Sequence, residues 1–89
     1  MVTVEFTKNL ARHVECPSKR VAGATVAEAL DAYFAEIPAV KAYVLDEQGA
    51  VRHHVVVFVD GAMVPRKQAL SEPLSEGSVV SVMQALSGG

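Results

Sequence analysis

The residues of this chain that could do chemistry are few and scattered. Cys16 stands alone, the histidines are His13, His53 and His54, and the sequence ends on Gly88-Gly89. A lone cysteine allows no internal disulfide, which suits a reducing cytoplasm. Beside Pro17 it reads as a small packed apolar group ahead of a redox or persulfide site. His53 and His54 are neighbours on a predicted strand, so their side chains point to opposite faces and cannot easily share an ion. With His13 far off in sequence, no metal site is expected. Asp46, Glu47, Glu72 and Glu76 fall in predicted loops or turns and read as solvated charge. Nothing resembles a nucleophile with its base, or a loop that cradles phosphate. What remains is the ending, "MQALSGG". Taken alone it is a frayed terminus. It is also what a protein would need if its last carboxylate were the reacting group: glycine puts no side chain beside the carbonyl and lets the backbone thread a narrow channel.

The elements that must position such a tail fit in 89 residues, enough for one small domain. Residues 1–84 are expected to form that domain, with 85–89 as a tail. Apolar residues make up 51% of the chain and the net charge is −2, which argues against a general nucleic-acid binder. No apolar run approaches the ~20 residues of a membrane span, and no charged-then-apolar leader pattern opens the chain. There is no internal repeat.

"VTVEF" alternates with the period of a strand that has one buried face. "RHVECPSKRVAG" offers a second extended piece, an edge or bent strand because Pro17 cannot donate to a ladder. "ATVAEALDAYFAEIP" is an amphipathic helix. Thr25 and Glu28 form a capping box, Val26, Ala29, Leu30, Tyr33, Phe34 and Ile37 recur at helical spacing, and Pro38 ends it. Beyond it come a short extended or irregular piece through Tyr43 to Leu45, a turn at "DEQG" and a strong strand from His54 to Val59. A turn at Asp60-Gly61 leads to a short return strand at Met63-Val64. "ALSEPLSEGS" is loop with one helical turn, and "SVVSVMQ" is a last strand. The order predicts an α+β domain, a mixed sheet of four to five strands with one main helix packed on one face.

One helix covers one face of such a sheet, and the other should then be polar in a protein that works alone. Here it is not. Parity places Val55, Val57, Val59, Val80 and Val82 inward, and Val56, Phe58, Val79 and Met83 outward. Val56, Phe58 and Met83 would form an apolar patch near the start of the tail, which is the pattern of a partner surface. The alternative is that the loop at 62–77 folds over it.

The "GATVAEAL" helix start, "VFVDG", the following "LSEPLSEGSVVSVM" and the terminal "GG" together resemble the ubiquitin-like β-grasp sulfur carriers, the MoaD/ThiS family. The resemblance spans nearly the whole chain, and its strength lies in order and spacing, since no single motif is specific. It implies a protein that is not itself an enzyme and binds no cofactor. An E1-like adenylyltransferase of the MoeB/ThiF type would use ATP to adenylate the carboxylate of Gly89, with Gly88 as the preceding residue of the working pair. A sulfur donor such as a rhodanese or cysteine desulfurase would then leave a thiocarboxylate there. A biosynthetic acceptor enzyme of a molybdopterin, thiamin or cysteine-type pathway would take the sulfur. Phe58 and Met83 match positions that usually contact the activating enzyme, with Val56, Leu86 and Ser87 as further expected contacts. Extended, "ALSGG" reaches ~16–18 Å, enough to enter a neighbour's active site. The tail departs from the proline-containing approach common in molybdopterin-synthase small subunits, and the stretch from Pro38 to His54 is longer than thiamin-pathway carriers usually have. A ubiquitin-like modifier, joined through Gly89 to lysine amines, begins with the same adenylate and stays open as the alternative, as does a plain β-grasp interaction domain.

Overall fold

The computed structural model describes residues 1–12 and 14–84, with the side chains of Lys8 and Asn9 excepted. The alternating N-terminal segment forms β1 (Val2–Phe6), followed by a short helix α1 (Lys8–Ala11) and the edge strand β2 (Lys19–Val21). β1 and β2 pair antiparallel, Val2 opposite Val21. The connection between them is not wholly extended, because α1 tucks Leu10 into the core.

The long helix α2 (Val26–Glu36) starts where the capping box places it. Thr25 Oγ1 accepts from the Glu28 N–H at 3.3 Å, and Glu28 Oε1 accepts from the Ala24 N–H at 3.1 Å. The carboxylate thus reaches one residue further back than the usual box and still satisfies a free donor. Val26, Ala29, Leu30, Tyr33 and Phe34 are its buried stripe.

After α2 the structure departs from the expected extended piece. Pro38 ends α2 but also opens a second helix, α3 (Pro38–Val44), at whose first position its missing N–H is no loss. Val40 and Val44 bury against the core. The "DEQG" turn forms as expected: Asp46 Oδ1 accepts from the Gln48 and Ala50 N–H groups, and Gly49 takes φ 85°. These bonds to the ionised carboxyl hold the Asp46 pKa below its usual value, the Ala50 bond most of all.

β3 (Val55–Val59) and β4 (Ala62–Val64) form a hairpin around Asp60-Gly61, both with positive φ (51° and 85°), the twist-matched two-residue turn. β3 begins one residue later than the pattern implied. His53 and His54 lie in a turn closed by the Val55 N–H on the Arg52 carbonyl, so strand parity does not govern them. A 3₁₀ turn (Ala69–Ser71) precedes the last strand, β5 (Val79–Gln84).

The described residues form one five-stranded mixed sheet in the order β2-β1-β5-β3-β4, with β1 and β5 parallel in the middle. The core lies between one face of this sheet and the helices. Val2, Val4, Val55, Val57, Val80 and Val82 rise from the strands to meet Val26, Leu30, Tyr33 and Phe34.

Candidate docking face

The register of the sheet determines what the face opposite the helices carries. Val56 lies opposite Met83 on β5, and Phe58 lies opposite Ser81 on β5 and Met63 on β4. Directly paired residues project to the same side, so Val56, Phe58, Met63 and Met83 are neighbours on one surface. Their flanking partners Val55, Val57, Val64, Val80 and Val82 are buried on the other. The outward set includes the exposed Met63 (65%) and Met83 (38%), with Val56 and Phe58 half-buried between them.

The same face turns polar across the sheet. On β1, Glu5 lies opposite Ser81, whose Oγ donates to Glu5 Oε2 at 3.1 Å. Thr3 and the exposed Arg20 continue the polar half towards the β2 edge. The surface is therefore an apolar area over β4, β3 and the end of β5, bounded on one side by hydroxyl and charged groups.

The loop between β4 and β5 leaves this area open. It turns to the helix side, where the Glu72 carbonyl accepts from the Val26 N–H at 3.0 Å and the Leu74 N–H donates to the Ala24 carbonyl at 2.8 Å. Ala69 is fully buried there and Leu74 packs on the core. Its return to the sheet is held by Asp60, whose carboxylate takes Ser78 Oγ at 3.1 Å and the Val79 N–H at 2.9 Å. Of the two expectations for residues 62–77, a cover over the apolar face is the one the structure overturns, because Thr25 and Pro73 bridge instead.

β5 runs beside the patch towards the C-terminal residues. Gln84, the last described residue, pairs with Val55, at the end of the sheet where β3 begins and next to Met83. Leu86, Ser87, Gly88 and Gly89, expected as tail contacts and reacting group, lie outside the described residues, as does His13.

Met63 is the residue that strand parity alone did not find. A three-residue strand has too little alternation to show its phase. The signal was nonetheless present: a two-residue Asp-Gly turn pairs Val59 with Ala62 and hence Phe58 with Met63.

The other reactive side chains stand apart from this face. Cys16 is buried in the core, and burial pushes its thiol pKa up. His53 and His54 are exposed in their turn. Among the described residues no group of three His, Cys, Asp or Glu side chains is placed to hold a metal ion. No helix among them is long and apolar enough to cross a membrane.

A parallel pairing of first and last described strands, in a mixed sheet with a helix crossing one face, defines a ubiquitin-like β-grasp protein. The chain belongs to the ThiS family of ubiquitin-like sulfur carriers, whose model matches residues 9–89. Solved structures agree with the fold. A chain of the Amycolatopsis orientalis BexX/CysO complex is 26% identical over 100% of both chains, with a TM-score of 0.83. SAMP1 from Haloferax volcanii is 26% identical over 99% of this chain and 98% of its own, with a TM-score of 0.77. CysO of Mycobacterium tuberculosis, 20% identical over 97% of this chain and 100% of its own, has a TM-score of 0.81 and shows the likeness of fold. No curated protein sequence matches the chain. The protein is thus a ubiquitin-like carrier or modifier, and proteins of this type are not themselves enzymes.

Proposed function

We propose that the protein carries sulfur on the carboxylate of Gly89. An E1-like adenylating enzyme docks on the face formed by Val56, Phe58, Met63 and Met83 and receives the tail, with Leu86 and Ser87 lining the way in. A carboxylate oxygen of Gly89 attacks the α-phosphorus of ATP and pyrophosphate leaves, giving an acyl adenylate. Sulfur at the hydrosulfide level, supplied by a donor protein, then attacks the acyl carbon and displaces AMP. The product is a thiocarboxylate, which an acceptor enzyme consumes. ATP is a substrate of the partner, and this chain supplies the carbonyl and the surface that delivers it.

The observation that carries this reading is the open apolar face beside the strand that leads into the tail, in a chain whose family match runs through to Gly89. Glycine at the reacting position leaves the acyl carbon accessible to two successive nucleophilic displacements. The likeness to a chain of a BexX/CysO complex supports action through a partner protein.

Intact-mass spectrometry after incubation with ATP, the E1-like enzyme and a sulfur donor tests it. One terminal oxygen should be replaced by sulfur, and deletion of Gly89 should abolish the change. An unaltered mass while the enzyme turns over ATP contradicts the reading.

The likeness to SAMP1, which another Haloferax volcanii structure describes as a small archaeal modifier protein, favours a second reading. In it the same adenylate is resolved by lysine amines of target proteins, giving isopeptide bonds through Gly89. High-molecular-weight conjugates in cells, lost on deletion of Gly89, would select it.

A further inference from the structure

The apolar face has an unusual chemical make-up: two of its four members are methionines. Methionine is an apolar side chain that mild two-electron oxidants convert to a polar one. The pairing of Phe58 with Met63 on one side and Val56 with Met83 on the other sets the two thioethers at diagonal corners of the patch. Both side chains are open to solvent, at 65% and 38% exposure.

Cys16, which would ordinarily compete for an oxidant, is poorly placed to do so. It is 9% exposed within the core, and its raised pKa leaves little of the reactive thiolate near neutral pH. The remaining exposed methionine is Met1, whose carbonyl accepts from the Gly77 N–H at 3.0 Å. That contact sets Met1 at the end of the sheet remote from Gln84, because β5 runs from Val79 beside Thr3 to Val82 beside Phe6 and on to Gln84.

We propose that Met63 and Met83 form a reversible oxidation site, at which peroxide-class oxidants switch the docking face from apolar to polar. The thioether sulfur attacks one peroxide oxygen, the O–O bond breaks, and an S–O bond forms. Sulfur is oxidised by two electrons and the peroxide is reduced to water. A methionine sulfoxide reductase, drawing two electrons from a dithiol, returns the thioether and releases the oxygen as water. A sulfoxide brings a strong hydrogen-bond acceptor into a surface that a partner must desolvate, and it loses part of that bond to water without replacement. The sheet beneath is unaffected, since both side chains point away from the core. Oxidation then disengages the carrier while leaving it folded. This consequence rests on the docking role proposed for the face; the selectivity for Met63 and Met83 does not.

The experiment treats the purified protein with graded hydrogen peroxide and follows two readouts. Peptide mapping should show sulfoxide at Met63, Met83 and Met1 before Cys16 is modified. Calorimetric titration with the E1-like enzyme should show affinity weakened about tenfold or more, as for loss of an apolar interface anchor. Methionine sulfoxide reductase with dithiothreitol should restore it. A Met63→Leu/Met83→Leu double variant, whatever its own starting affinity, should show no change on peroxide treatment although Met1 still oxidises. Oxidation of Cys16 ahead of both methionines overturns the proposal, as does unaltered affinity of the doubly oxidised protein. A peroxide response that persists in the double variant overturns it as well. If the untreated protein does not bind the E1-like enzyme at all, the docking reading fails and the switch falls with it, while the peptide map still decides the site.

Discussion

Gly23 lies so close to Ala29 that a Cβ built on it would stand 2.6 Å from the Ala29 backbone nitrogen and 2.9 Å from its Cα. The contact joins the end of β2 to the first turn of α2, and its partners are helix backbone, which cannot rotate aside as a side chain could. Gly23→Ala should therefore push α2 away from the sheet. A loss of ~1–3 kcal/mol is expected, the range for overpacking a well-filled contact. Urea titration of the two proteins measures it, and equal midpoints would show that α2 yields freely.

Tyr33 is the next fixed point of the core. Its ring is fully buried, packs 4.9 Å from Phe6 and 6.1 Å from Phe34, and its hydroxyl donates to the Pro17 carbonyl at 2.7 Å. The bond ties the irregular segment before β2 to the middle of α2. Tyr33→Phe should cost ~1 kcal/mol, since a carbonyl loses its donor while the ring packing is retained. Desolvation, reinforced by the nearby Cys16, raises the Tyr33 pKa to about 12. The folded state thus holds this proton more tightly than the unfolded chain. Stability from this source is fully present below the unfolded value near ~10 and is lost as pH rises through about 12. Thermal melts across that window should fall more steeply for the native protein than for Tyr33→Phe.

Much of this architecture was legible in the sequence, and the failures have particular causes. Strand alternation gave the inward and outward sets of β3 and β5 because both strands have one buried face, so a slip of one residue would expose the core. Thr25 and Glu28 marked the start of α2 by chemistry that operates locally. α1 leaves no signal in the sequence because "KNLA" is one turn, too short for a period to show. α3 is hidden because Pro38 signals a helix end and, equally, a helix start, since the first turn of a helix accepts proline. The path of the 62–77 loop depends on two backbone hydrogen bonds, to Ala24 and Val26, that no side-chain pattern announces.

Asp60 makes a separate prediction. It occupies the left-handed region at φ 51°, and its carboxylate holds Ser78 and Val79 where the loop rejoins β5. Asp60→Ala removes both acceptors and places a residue poorly suited to that backbone. About 1–3 kcal/mol should be lost. Asp60→Asn keeps an acceptor oxygen and tolerates the left-handed region, so it should fall between the two. Denaturant midpoints of the three proteins give the order; an Ala variant as stable as the native protein would show that the turn is fixed by Gly61 alone.

The adjacent residues Val57 and Phe58 provide the sharpest test of how the sheet divides its two faces. Val57 is 1% exposed beneath the helices, whereas Phe58 is half-buried on the open side with Met63 opposite. Val57→Asp would set a carboxylate among apolar side chains with no partner, at a loss of ~3–5 kcal/mol, a large share of what a small domain possesses. Phe58→Asp meets water instead, so circular dichroism and melting should change little. Its effect should appear in binding, as ~1–3 kcal/mol of lost affinity for the E1-like enzyme, the scale of a central interface anchor. Met83→Asp should behave as Phe58→Asp does. If Phe58→Asp unfolds, its ring belongs to the core and the partner surface must lie elsewhere. If it folds and binds undiminished, the apolar face serves something other than activation of the tail.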